Sequence, residues 1–341
     1  MKRAALGLAV SLSFLFLLSR QVDFLRAAES LRTTDYVILL AALPAYFGAV
    51  WFRTLRWQQL LIPVARLPAP GLFVQVVIGY MANDVLPLRV GEVVRAYLLG
   101  RRHSLAKVAV LGTIAIERLT DGLILLAFAG AVAFALPLEG WMQWVIRTMA
   151  VAFVGGGLAM LALLFTWRRV AQALFPESAA SEVEGRSGGS ARAMLHRVVE
   201  GFLGGAESLR RPRPICLAGF HGTVAWLFEA GVFYAVALAM GVTIPFSVLL
   251  LSMALANLST ALPSSQAGIG PFEYFAAQTL VIFGTDSSVA ATYALLVHAV
   301  LILPVTLLGF AFLWRENLSL GRLTREAIAT PASSFLVPRS S

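Results

Sequence analysis

Residues 246–284 read FSVLLLSMALANLSTALPSSQAGIGPFEYFAAQTLVIFG. Two apolar arms flank an interruption rich in Pro, Ser and Gly, and Glu273 is the only charged residue in the stretch. Pro263 and Pro271 lack the amide hydrogen that a helix interior uses, and Gly268 and Gly270 free the backbone to turn. Irregular backbone at bilayer depth survives only where protein or cavity water shelters it. The stretch therefore reads as a re-entrant helical hairpin that enters and leaves a membrane by one side.

Residues 72–100 show the same pattern, with Asn83, Asp84, Pro87, Arg89 and Glu92 at the turning point. Around these two segments, uncharged runs recur at 4–19, 36–52, 122–138, 148–167, 230–272 and 287–314. Several reach the ~20 residues that a spanning helix needs. The chain is 59% hydrophobic and 13% charged, with a mean hydropathy of +0.80, where soluble domains carry roughly a quarter charged residues. No period-two alternation marks a closed barrel. These features predict an all-α polytopic integral membrane protein with about six full spans, near 4–19, 36–55, 106–137, 146–167, 214–242 and 290–314.

The net charge of +9 is scattered between apolar runs rather than gathered in a polar domain, which argues against nucleic acid as a partner. Basic residues at Lys2 and Arg3, at Arg53, Arg56 and Arg66, at Arg101, Arg102 and Lys107, through 168–213, and at Arg315, Arg322 and Arg325 mark cytoplasmic segments. Both termini are then expected in the cytoplasm of a bacterial inner membrane. The segment 20–35 balances three arginines against three acids, and 136–144, 241–246 and 284–288 are poor in basic residues, so these face outward. The first hairpin then enters from inside and the second from outside, as in an inverted repeat. Asn83, Leu86, Pro87, Gly91 and Glu92 in one hairpin match Asn257, Leu262, Pro263, Gly270 and Glu273 in the other. Interrupted apolar segments at corresponding places in two halves point to a transport site.

A single transmembrane domain is expected over 1–330. Within it, 168–213 forms a cytoplasmic loop whose part 191–211 reads either as a short interfacial helix or as a solvated connector. Residues 4–18 follow Met1, Lys2 and Arg3 without a small-x-small cleavage site, which favours a retained first helix over a signal peptide. The tail 331–341 ends in Leu336-Val337-Pro338-Arg339-Ser340-Ser341, which reads as a protease-site remnant of expression engineering. Cys216 has no partner for an intramolecular disulfide.

A charge at bilayer depth is costly unless paired or wetted, so ionisable residues among apolar ones are functional candidates. Three groups qualify. In Asn83-Asp84-Val85-Leu86-Pro87-Leu88-Arg89-Val90-Gly91-Glu92-Val93-Val94-Arg95, the arginines offer forked donors suited to phosphate, and Glu92 can pair with either. In Glu117-Arg118-Leu119-Thr120-Asp121, the two acids share a helix face, for structural pairing or for substrate contact. In 262–273, Pro263, Ser264, Ser265, Gly268 and Gly270 let backbone amides approach an anion, while Glu273 stands for capping, proton coupling or repulsion of a phosphate. Arg53, Arg56 and Trp57 read as an interfacial anchor, and Trp141 and Trp144 as an aromatic belt. Glu229 needs a partner, and lone His298 reads as a satisfied bundle residue. No metal-binding histidine pair, phosphate loop, dinucleotide fingerprint or nucleophile elbow is present, so no cofactor is expected.

The order Asn-x-x-x-Pro-x-Arg-x-Gly-Glu-x-x-Arg, Glu-Arg-x-x-Asp, then Leu-Pro with a Gly-rich turn ending in Glu resembles the flippase-like transmembrane domain of lysylphosphatidylglycerol synthases, over nearly the whole chain. Arg56-Trp57 with Leu60-Leu61 is similar too. The resemblance implies a domain that moves phospholipid between leaflets, here without the soluble aminoacyl-tRNA-dependent domain. It implies a cavity shared by Asn83, Pro87, Arg89, Gly91, Glu92, Arg95, Glu117, Arg118, Asp121, Pro263, Gly268, Gly270 and Glu273. Ser264-Ser265-Gln266-Ala267 departs from the Pro-Gly pattern of that family. The expected partner is a membrane lipid with an anionic headgroup, a phospholipid or a polyprenyl-phosphate-linked one, alongside a homo-oligomer or a lipid-modifying enzyme. The alternatives are a membrane enzyme acting on a lipid headgroup or polyprenyl phosphate, and a scaffold for a lipid-modifying partner.

Overall fold

The computed structural model describes residues 2–86, 90–136, 138, 140–174, 191–262, 266–316, 318, 319 and 321. Twelve α-helices, and no strand, occur among the described residues. Five are long and apolar enough to cross a membrane: α3 (Tyr36–Leu61), α6 (Lys107–Ala135), α7 (Gly140–Leu174), α9 (Pro212–Ala239) and α12 (Ser287–Arg315). A sixth span requires α1 (Lys2–Ser19) and α2 (Phe24–Thr33) to count as one, and an 87° bend separates them. Helix α2 was not legible in the sequence, where 20–33 reads as part of an outer loop. Asp23 starts it by accepting from the Leu25 amide at 2.9 Å, and it leaves Phe24 and Leu25 exposed.

The remaining membrane helices form two hairpins, α4 (Ala69–Val85) with α5 (Gly91–His103), and α10 (Phe246–Ser259) with α11 (Pro271–Ile282). At 1.5 Å per residue, their arms measure about 18 to 26 Å, short of the ~30 Å hydrocarbon core. Their bases lie at opposite ends of the bundle. At one end the Asp35 amide donates to Ala239 O at 2.7 Å, Gln278 Nε2 donates to Gln21 Oε1 at 2.7 Å, and Ser287 Oγ donates to Gln21 O at 2.6 Å. This end holds the base of the second hairpin. At the other end Arg102, in the last turn of α5, meets Glu316 just beyond α12 at 3.0 Å. On the first end, outside the spans, the Asp286 carboxyl is held below its ordinary range by the amides of Ser288 and Val289, and further by Arg26.

Two units with the same order, α3–α6 and α9–α12, pack in the same way. Helices α3 and α9 lie together over much of their length. The first arm of each hairpin packs on the last helix of the other unit, α4 on α12 and α10 on α6. Side chains repeat as well. Arg53 lies 17 residues past the first residue of α3, and Glu229 lies 17 past that of α9. Arg118 and His298 each lie 11 residues into α6 and α12. Asn83 and Asn257 each stand two residues before the end of the first hairpin arm.

Helix α8 (Ala191–Ala206) and a short 3₁₀ turn, Glu207–Arg210, follow the polar loop. They are not a solvated connector, because α8 packs closely on α6: a Cβ added at Gly205 would sit 1.9 Å from Ala109 O, and one at Gly112 2.2 Å from Phe202 O. Leu203 and Ala206 close a buried cluster with Leu60, Ile116 and Leu164.

Candidate functional site at the meeting of the hairpin tips

Charge is concentrated in the middle of the bundle. Arg56, fully buried, pairs with both oxygens of Asp121 and reaches Glu117 at 3.2 Å. Arg95 forks onto Glu117 and lies 4.0 Å over the Trp57 ring. Trp57 Nε1 in turn donates to Thr113 at 3.0 Å. Arg53 pairs with Glu229 at 2.5 Å and stacks on Trp226, whose Nε1 donates to Asp121 at 2.8 Å. Asn257 Nδ2 donates to the other Glu229 oxygen at 2.9 Å. Each deep guanidinium thus has a carboxylate, which offsets the large cost of taking either ion out of water.

Beside this network lies a cavity of about 170 Å³. Asn83, Asp84 and Glu92 reach it from the first hairpin tip, and Thr260 and Ala267 from the second. Arg53, Arg118, Asp121, Trp226, Glu229 and His298 complete much of its polar lining, with Tyr46 and Tyr80. Arg118 is the more exposed of the two arginines that line it. Its contacts to Glu92, Glu117 and Asp121 are 3.2, 3.4 and 3.7 Å, and its side chain is 41% exposed. Asp84 has no basic partner within ion-pair distance among the described residues and accepts from Thr306 Oγ1 at 2.9 Å.

The two tips are built differently. In the first, Asn83 Oδ1 accepts from the Gly91 amide at 2.8 Å, closing α4 onto α5. In the second, Glu273 Oε2 accepts from the Gly270 amide at 2.7 Å. The start of α11 is therefore capped by its own carboxylate rather than left open for an anion. The other Glu273 oxygen meets His298 Nδ1 at 2.5 Å, and that ring stacks on Phe272 with centroids 4.1 Å apart. Gly270 holds φ +101° against Ser11, whose carbonyl oxygen lies 2.6 Å from where a Cβ would be. Ala267 takes the left-handed φ of +57° that usually belongs to glycine. It stands in the segment that departs from the Pro-Gly pattern.

Of the residues singled out from sequence, Asn83, Asp84, Glu92, Arg118 and Asp121 line the cavity. Arg95, Glu117 and Glu273 stand behind it, each at most 3% exposed. Gly91, Gly268 and Gly270 shape the turns. Pro87, Arg89, Pro263, Ser264 and Ser265 lie outside the described residues. The anchor reading of Arg53, Arg56 and Trp57 is corrected: α3 continues to Leu61, which draws all three into the interior. Trp144 is exposed, as an aromatic belt requires, whereas Trp141 packs on Phe275. Tyr46, Tyr80, Trp226 and Thr260 were missed, since nothing in their local pattern separates them from ordinary span residues.

Residues 4–309 match the family described as the lysylphosphatidylglycerol synthase TM region. The glycosyltransferase AglD of Haloferax volcanii is 24% identical over 319 residues, covering 86% of this chain. The chain spans 51% of AglD's length. A UPF0104 membrane protein of Methanothermobacter thermautotrophicus is 26% identical over 296 residues, 84% of this chain and 86% of that protein. No solved structure matches. With the family match extending over both hairpins and all the helices that frame the cavity, the chain belongs to the lysylphosphatidylglycerol synthase TM region family.

Proposed function

We propose that the protein is a flippase or lipid transporter that moves a lipid with an anionic headgroup between leaflets. The observation that carries this is that two hairpins based at opposite ends of the bundle line one polar cavity with their tips. Such a site is reached from either side by movement of one hairpin at a time. The short arms support re-entry. By the positive-inside rule the end with Arg101 and Arg102 faces the cytoplasm, with the termini, at a bacterial inner membrane.

Arg118 supplies the phosphate contact. At rest it holds Glu92, in the first turn of α5. A phosphate that takes this guanidinium leaves Glu92 without its cation and loosens the first hairpin. The ligand thereby favours the conformation in which the pair is broken, by the difference in its affinity for the two states. The acyl chains remain in the bilayer.

A second reading is a membrane enzyme that modifies a lipid headgroup or polyprenyl phosphate, with Asp84 or Glu92 as base. The name of AglD, a glycosyltransferase, favours it. One experiment separates the two: scrambling of labelled phosphatidylglycerol and of a polyprenyl phosphate in proteoliposomes, followed by mass spectrometry of the recovered lipid. Transport predicts relocated, unmodified lipid, lost in Arg118→Gln and in Asp84→Asn. A new lipid mass without relocation would establish the enzyme instead.

A further inference from the structure

A second cavity, of about 290 Å³, opens at the base of the first hairpin. Val74, Gln75 and Ile78 of α4 and Leu98 of α5 form its walls with Leu318, and Arg101, Arg102 and Glu316 complete its lining. Gln75 is 4% exposed, yet its Oε1 accepts no hydrogen bond among the described residues. A buried acceptor without a donor is costly, and native structures rarely keep one without a reason. Arg102 is more than half exposed and is held by the partly exposed Glu316 at 3.0 Å, a rim pair of little energetic weight. Trp314, two residues before Glu316, is strongly exposed, as an aromatic ring at headgroup level would be.

We propose that this cavity is a second lipid site, separate from the central one, for a phospholipid whose headgroup carries a hydrogen-bond donor. The donor, a hydroxyl or an ammonium, fills the open acceptor of Gln75. The phosphodiester draws Arg102 away from Glu316, and Val74, Ile78, Leu98 and Leu318 meet the first methylenes of the chains. The apolar walls favour a lipid over a free phosphodiester. The site stands whether or not the central cavity transports.

Native mass spectrometry of delipidated protein tests it, with phosphatidylglycerol, phosphatidylethanolamine and phosphatidylcholine added back in turn. The first two carry donors and the third does not. Wild type retains the donor lipids about fivefold over phosphatidylcholine, the scale of one neutral hydrogen bond. Gln75→Leu brings that ratio to about one, and Arg102→Gln lowers retention of all three. Arg118→Gln, in the central cavity, leaves the ratio as it was. A ratio unchanged by Gln75→Leu, or lost in Arg118→Gln, overturns the proposal. So does displacement of the lipid by free glycerophosphoglycerol at equal concentration. If Gln75→Leu fails to fold, the exposed Arg102→Gln decides alone, and unchanged retention there overturns the site.

Discussion

Replacing Glu117 by glutamine keeps the side chain's shape and removes its charge from between two buried guanidiniums. Arg56 retains Asp121. Arg95, 2% exposed, has Glu117 as its ion-pair partner among the described residues, and is left with the face of Trp57. Removing one member of a buried pair strands the other, which costs about 3–5 kcal/mol, whereas exchanging both for apolar groups of similar size is often neutral or better. Glu117→Gln is therefore expected to lower stability by about that amount, and Glu117→Leu with Arg95→Met to recover most of it. Reversible unfolding in mixed micelles, followed by tryptophan fluorescence, measures both, because Trp57 reports on the packing of Arg95. A cost below about 1 kcal/mol for Glu117→Gln, or a double variant no more stable than the single one, would refute the assignment of this pair to the framework.

Gly205→Ala drives a methyl into Ala109 O; a loss of about 1–3 kcal/mol is expected, with faster hydrogen exchange confined to α8 and its contact on α6. Ala267→Gly removes the left-handed penalty at φ +57° and should gain about 0.5–1 kcal/mol in the same unfolding assay, since relief of strain exceeds the added chain entropy. Asp286 contributes stability that is fully present above the ordinary carboxyl value of 3.8 and is lost as pH falls through its lower folded value. The thermal midpoint should therefore fall less between pH 5 and pH 3, the acid-titration window around that value, in Asp286→Ala than in wild type; parallel curves would contradict the cap.

The long helices and both hairpins were legible because their signals are local: an apolar run has a length, and Pro and Gly interrupt it at a definite place. Helix α2 was not, because Phe24, Leu25 and Leu31 alternate with Arg26, Glu29 and Arg32, and a short amphipathic segment in a charge-balanced stretch resembles a loop. The ion network was half legible. Arginine and tryptophan near the end of an apolar run have the same signature whether they snorkel to the interface or turn inward. What decides for Arg53 and Arg56 is the presence of Glu229 and Asp121, 176 and 65 residues away in sequence. His298 was read as a satisfied bundle residue, and its bond to Glu273 satisfies it, yet the ring also lines the cavity. Local pattern distinguishes a buried residue from an exposed one better than it distinguishes one buried neighbour from another.

The repeat accounts for features that neither half explains alone. The two hairpins have arms of about 18 to 26 Å, are based at opposite ends of the bundle, and bring their tips to one cavity. Each first arm lies on the last helix of the other unit, so the two units are joined through both hairpins. Equivalent positions on α3 and α9 also face one another, and there two like-ordered units meet a physical constraint. Two identical charges buried at such a point would repel at low dielectric with nothing to offset their desolvation. Arg53 and Glu229 occupy that pair of positions and bond to each other. The same divergence appears at the tips. Arg118 holds Glu92 in one unit and His298 holds Glu273 in the other, from matching places on α6 and α12. Arginine presents a planar fork of donors and histidine a single ring nitrogen to its glutamate, so the two hairpins are anchored by chemically different latches on one symmetric frame.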